Sequence, residues 1–426
     1  MSVPGHGMTT FGYDGVGRRT SATAPTGGAM TFAWQSTLPI RTTWSGAHAV
    51  PGVSGTVALT GTVERFYNDF LEVSELHVTG GKSVKLLRDR DGLVTSLADV
   101  GGVFPTLSLA RSPIDGHVTG TTLDTVTTSH GLDVSATTPG FGDLLFTFAD
   151  AGANNLYDTA YTYDDRGRID AWTETVENDA PRTRKFGYDA AGRLVTVHDI
   201  TGGEPGTLLE EYAYDGNGNR QKALSNYPGA VPLDAELPTS IRCPGPSGDT
   251  AANAEDQLCE YGGFTYSYNA RGQLESKTDG AATTTYTYDG LGRLQRVTEP
   301  GMDLHYIHDA LGRRIGKVRD GNLERGWLYA DALNPIAELD GAGNVRATFL
   351  YGTRAHVPDA MVMTDGTVYR LITDHVGSVR LVVNAETGAV VQRMDYDAFG
   401  RVLQDTNPGF QPFGFAGGLY DDDTGL

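Results

Sequence analysis

A short phrase recurs along this chain of 426 residues: an aromatic residue, any residue, Tyr, Asp, two residues, Gly, Arg. It stands as Phe11-Gly12-Tyr13-Asp14 with Gly17 and Arg18, as Tyr161-Thr162-Tyr163-Asp164 with Gly167 and Arg168, and as Phe186-Gly187-Tyr188-Asp189 with Gly192 and Arg193. Tyr212-Ala213-Tyr214-Asp215 with Gly218, Tyr266-Ser267-Tyr268-Asn269 with Gly272, and Tyr286-Thr287-Tyr288-Asp289 with Gly292 and Arg293 follow. Later copies weaken to His308-Asp309 with Gly312 and Arg313, and to Asp395-Tyr396-Asp397 with Gly400 and Arg401. The spacing is 25 residues from Asp164 to Asp189, 26 from Asp189 to Asp215, and 20 from Asn269 to Asp289 and again to Asp309. Self-similarity at a fixed period means one supersecondary unit stacked many times. It argues against a compact enzyme, because residues spread over eight copies do not converge on one active site.

Each copy has a physical reading. Aromatic-x-Tyr has period two, so both rings lie on one face of a strand. Tyr and Thr, as in Tyr286-Thr287-Tyr288, suit a pleated, half-buried surface. Asp follows at once, and its carboxylate accepts a backbone N–H two residues on, which starts a turn. Gly comes three residues later, where a short hairpin loop needs φ > 0. Arg opens the next alternating strand, as in Arg193-Leu194-Val195-Thr196-Val197, with its stem free to lie along a neighbouring Tyr ring. The Asp residues therefore read as turn formers rather than catalytic carboxylates, and the Tyr residues as packing.

Composition supports an all-β chain. The 56 glycines mark turns, and no ten-residue stretch has a helical apolar period. A net charge of −20 and the absence of a basic patch with interleaved aromatics argue against nucleic acid as a partner. The charge keeps a large β surface soluble and discourages edge-to-edge pairing. An acidic lining of any enclosed interior would favour a basic cargo. No run of about 18 apolar residues is present, so no membrane span is expected. Met1–Thr10 lacks the basic and apolar regions of a secretory signal. Cys243 and Cys259 bracket a Gly/Pro/Asp/Ala-rich stretch, and a disulfide closing it is favoured over two free thiols. With no histidine nearby they make a poor zinc site.

The phrase Tyr-Asp-x-x-Gly-Arg-Leu, as at 188–194 and 288–294, resembles the YD repeat of the RHS family. That family includes bacterial Rhs polymorphic toxins, the C component of Tc toxin complexes and the YD shell of teneurins. A C-terminal stretch is more specific. Asp374-His375-Val376-Gly377-Ser378-Val379-Arg380 resembles the Asp-His-Leu-Gly-Ser-x-Arg signature of the RHS core, and Tyr396-Asp397-Ala398-Phe399-Gly400 and the run 409–426 match the same core. The likeness is clear over 155–426 and weaker over 55–155. It implies a β-sheet of YD hairpins spiralling into a partial shell or cocoon, with a toxin or effector held inside or displayed at the C-terminus. It divides the chain into a poorly matched segment 1–55 with one YD unit, degenerate repeats over 56–154, YD repeats over 155–370 interrupted by a loop insertion at 221–260, and the start of the core at 371–426. No Asp-Pro-x-Gly self-cleavage motif is present, so no catalytic residue is carried over.

Other motifs fall to turn chemistry. Asp215-Gly216-Asn217-Gly218-Asn219 resembles the start of a calcium loop, but Arg220 and Asn226 occupy the positions of its Gly and Glu. His305 and His308 lie in strand register on opposite faces. Asp374, His375 and Ser378 have triad chemistry, but neighbours along one hairpin rarely converge. Gly312–Lys317 has the wrong spacing for a phosphate loop.

The sequence therefore reads as a non-enzymatic structural shell, part of a longer secreted or cell-surface polypeptide, with no cofactor. Its partners would be an encapsulated toxin or effector, or the remaining shell segments. A teneurin-like adhesion module binding a cell-surface glycan or protein is the alternative, and a self-cleaving peptidase or hydrolase with its catalytic part missing is the third. An open spiral exposes a sheet edge, so an isolated chain is expected to be aggregation-prone, with Met1–Pro51 its least paired region.

Overall fold

A computed structural model describes residues 8–50, 53, 55–133, 143–227, 256–261 and 263–426. Among them the only helical element is a single 3-10 turn at Phe415–Gly417, and the rest of the regular structure is antiparallel strand. Cys243 lies outside the described residues, so its pairing with Cys259 does too. The chain divides into two compact units, each assembled from two separate stretches: 1–109 with 284–371, and 110–283 with 372–426.

In both units strands pair with their neighbours in the chain across short loops, and the long strand Leu38–Ala49 pairs both with Thr56–Ala58 and, beyond it, with Gly61–Tyr67. The hairpins share one irregularity. The register shifts at the residue before the turn Asp, between Gly187 and Tyr188, Thr287 and Tyr288, and Asp395 and Tyr396 alike. Such a shift follows from a type I turn closed by a left-handed Gly, which leaves one extra residue on one strand.

The first unit contains two meanders that pack face to face. One runs from Thr10–Tyr13 to Val94–Asp99 and the other from Leu294–Glu299 to Ala360–Met363. Trp44 donates its Nε1–H to Asp309 at 3.4 Å, and Lys82 N donates to the Thr348 hydroxyl at 3.0 Å. The approach is close at Gly61, where a Cβ would clash with Leu328. Residues 10–49 are not the unpaired region expected. Gly27–Gln35 and Leu38–Ala49 form a long hairpin, and Met30 and Trp44 are buried. Large apolar residues at every second position, Met30, Phe32 and Trp34, alternate with the small Ala29, Thr31 and Ala33 and carry this hairpin without the repeat phrase.

In the second unit the meander from Val118–Leu123 to Arg220–Ser225 packs against the C-terminal strands. Val126, Ala149, Leu156, Tyr157 and Val176 share a core with Ile372, Leu381 and Val383. The strands Val379–Asn384 and Val390–Tyr396 supply the other wall of this unit.

Candidate functional site

The repeated turn has one hydrogen-bond scheme. In turn 164–168, Asp164 N donates to the Arg168 carbonyl at 2.8 Å and Gly167 N to the Asp164 carbonyl at 2.9 Å. Asp164 Oδ1 accepts the N–H groups of Arg166 and Arg168, both at 2.9 Å, while Oδ2 accepts Arg168 Nε at 2.8 Å. The Arg168 side chain first, and its backbone N–H next, hold the Asp164 carboxyl down to about 2. Asp189 and Asp289 repeat the scheme with Arg193 and Arg293. Gly192 and Gly292 both have φ of 85°. In turn 215–219 Asn219 takes the place of Arg and donates to Asp215 Oδ2 at 3.0 Å, and Gly218 keeps the left-handed position.

The remaining residues of the phrase join one repeat to the next. The Arg168 guanidinium lies 4.3 Å over the Tyr188 ring, and that of Arg193 lies 4.6 Å over Tyr214. Each of those tyrosines donates its hydroxyl to the carbonyl just beyond the same arginine: Tyr188 to Ile169 at 2.8 Å, and Tyr214 to Leu194 at 2.8 Å. Tyr163 reaches the Leu144 carbonyl at 2.7 Å, and in the first unit Tyr329 reaches Arg314 at 2.7 Å. The sequence reading missed this hydroxyl contact. Its signal is a difference between two positions: Phe stands at the first aromatic site (Phe11, Phe186), whereas the residue before Asp in the clean copies is Tyr.

The C-terminal signature builds a different object. Asp374 Oδ1 accepts the N–H groups of Val376, Gly377 and Ser378 at 3.1, 3.0 and 2.8 Å, so it too is a turn former. Ser378 is fully buried, and its hydroxyl accepts the N–H of Ala416 at 3.1 Å, which fixes the 3-10 turn. The His375 ring sits edge-on to Tyr161 and Trp172, with centroids 5.1 and 5.6 Å away. The three side chains thus face three different neighbours rather than one another. Arg380 is the central residue. It is 3% exposed and pairs with Glu174 at 2.6 Å and Asp395 at 2.7 Å, and its Nε donates to the Met394 carbonyl at 2.9 Å. Burial pushes the Asp395 carboxyl up, but Arg380 and Arg393 outweigh it and hold it below its ordinary value. A cavity of about 180 Å³ beside this cluster is walled by Trp172, Phe186, Tyr188, His375, Tyr396 and Phe415.

Asp397 forms the last YD turn, with Gly400 at φ 88° and Arg401 at 3.3 Å. The next residue, Ala398, donates its N–H to Glu210, which has no exposed surface. Glu210 also accepts the hydroxyls of Tyr212 and Tyr227. Burial raises its carboxyl above the ordinary Glu value.

A cavity of about 1090 Å³ lies within the first unit, between its two meanders. Its walls include Phe32, Trp34, Leu76, Leu86, Ile336 and Phe349. The charged residues on it are Arg18, Arg19, Arg65, Arg313 and Arg354, against Asp331 alone. An acidic lining is therefore not what this interior has.

A meander of Asp-turn hairpins linked by Tyr and Arg defines a YD-type repeat shell. The family model described as Teneurin YD-shell matches residues 248–426. Teneurin-4 of Mus musculus is 30% identical over 278 residues, 64% of this chain, and Teneurin-1 of Gallus gallus is 30% identical over 271 residues, 62% of the chain. The chain spans 9% of the length of each of these relatives. A crystal structure of TcdB2-TccC3-Cdc42 superposes with a TM-score of 0.59 and 14% identity, over 98% of this chain and 25% of that one. Residues 248–426 thus carry the Teneurin YD-shell match, and the fold of the chain is the all-β YD-repeat shell fold.

Proposed function

We propose that this chain is a stretch of shell wall that encloses or displays a toxin or effector segment of the same longer polypeptide. The structural role of the fold comes from the family; enclosure of a cargo is the finer reading. The observation that supports it is the apolar cavity of the first unit, whose walls belong to opposed repeat meanders rather than to a catalytic cluster. The likeness to the TcdB2-TccC3 shell agrees with it. The reading is non-enzymatic, because the carboxylates of the repeat phrase are committed to their own turns. It places the chain outside the producing cell, as part of a secreted or surface polypeptide. No helix among the described residues is long and apolar enough to cross a membrane. An oxidised setting would also allow Cys243 and Cys259 to bridge, and alkylation followed by mass measurement reports whether they do.

The test is protection. A protease-sensitive passenger fused after Leu426 should be cleaved slowly in the folded protein and rapidly once the shell is unfolded. Equal cleavage in both states would remove the enclosure reading. The teneurin likeness supports a second reading, in which the outer surface binds a cell-surface glycan or protein. Binding of the purified chain to intact cells, lost after glycosidase or protease treatment of those cells, would favour it.

A further inference from the structure

We infer that the cavity of the first unit accepts an extended apolar polypeptide segment bearing carboxylate side chains and rejects a basic one, an inference that rests on the enclosure reading and specifies the chemistry of what is enclosed. The walls are aromatic and aliphatic, so the contact area must come from apolar side chains. The charges among them have one sign: five arginines against Asp331 in a chain whose net charge is −20. Two of the five, Arg18 and Arg313, have carboxylate partners in their own turns, Asp14 and Asp309, each at 2.6 Å.

Arg19 and Arg65 differ from those two. Arg65 spends its donors on neutral groups, Nε on the Ala330 carbonyl at 3.1 Å and Nη1 on the Thr42 hydroxyl at 3.2 Å. Burial lowers its affinity for its proton. Arg19 is half-buried with its guanidinium 4.8 Å over Phe11, and its Nε has no hydrogen-bond partner among the described residues. A guanidinium taken partly out of water without a counter-charge is costly. A carboxylate arriving beside it offsets that cost with a charge-assisted hydrogen bond, whereas an ammonium group adds to it. An extended segment is the form that fits, since its alternate side chains can serve the apolar walls and the arginines separately.

Three fluorescent twelve-residue peptides with the same apolar residues and three Glu, three Gln or three Lys would be titrated against the 426-residue protein by anisotropy. The Glu peptide should bind at least tenfold tighter than the Gln peptide, with the Lys peptide weakest. The preference should shrink toward unity in R19Q and in R19Q/R65Q, and persist in R65K. R19Q removes a side chain with few polar contacts, so it remains informative if the double variant fails to fold. Equal binding of all three peptides, or a preference unchanged in R19Q, would overturn the charge assignment while leaving enclosure standing. Binding of none would overturn it as well, and protection of the fused passenger would then report separately on whether enclosure fails too.

Discussion

Single residues in this chain do work that their neighbours define. Gly192 sits at φ 85° with its nearest neighbour beyond the adjoining residues, Arg168 Nη1, 3.7 Å from where a Cβ would lie. Space is therefore not the constraint; the left-handed backbone is. G192V should cost about 1–2 kcal/mol, read by urea denaturation, and the same change at Gly202, which has no positive φ, should be nearly silent. Glu210 poses the opposite problem. Two hydroxyls and one N–H face it, Asp397 lies nearby, and no cation pairs with it among the described residues. Its folded-state affinity for a proton is raised, so the stability it contributes is complete below its unfolded value and is lost as pH rises through the folded one. E210Q should remove that dependence: the variant should melt above the parent at pH 7 and close to it at pH 4. A parent curve that does not fall between those values relative to E210Q would contradict the assignment.

At the scale of the hairpin, the repeat phrase made the turns legible because every group involved lies within five residues of the Asp. The link between hairpins was half legible. The Arg–Tyr stacking follows from residue types at fixed spacing, but the Tyr hydroxyl–carbonyl bond depends on which backbone atom the sheet register brings opposite. Y188F removes only that bond to Ile169 and should cost about 1 kcal/mol. Combined with R168M, the loss should be less than additive, because both contacts order the same ring. The Arg380 cluster was not legible, since its partner Glu174 lies on a distant strand and nothing local marks the pairing. R380M should destabilise by about 3–5 kcal/mol because it takes from Glu174 and Asp395 the buried cation they share, leaving them Arg184 at 3.6 Å and Arg393 at 3.0 Å. R380M/E174Q/D395N should recover most of that loss. Residues 27–49 were under-read for a related reason, as their strands come from apolar alternation and carry no Tyr-Asp phrase.

At the scale of the whole molecule, a simple repeat array loses stability in proportion to the repeats removed. The two units make a different prediction, because each closes a core from stretches far apart in the chain. Removing residues 372–426 takes Leu381 and Val383 from the core they share with Val126, Ala149, Leu156, Tyr157 and Val176. It also takes Arg380 from Glu174, and Ala398 from Glu210. The face left behind is apolar and carries two carboxyls that have each lost one partner, so it should open to water. The first unit keeps both of its meanders under the same truncation, together with the contacts of Trp44 with Asp309 and of Lys82 with Thr348. In a chain ending at Leu371, hydrogen exchange should therefore accelerate by orders of magnitude in the strands Val126–Leu132, Asn154–Tyr163 and Ile169–Val176. It should stay slow in Met302–His308, Asn322–Tyr329 and Val345–Leu350. Uniform acceleration would mean that the units do not fold separately. Unchanged protection at 126–176 would mean that the C-terminal strands are an appendage to that sheet rather than half of its core.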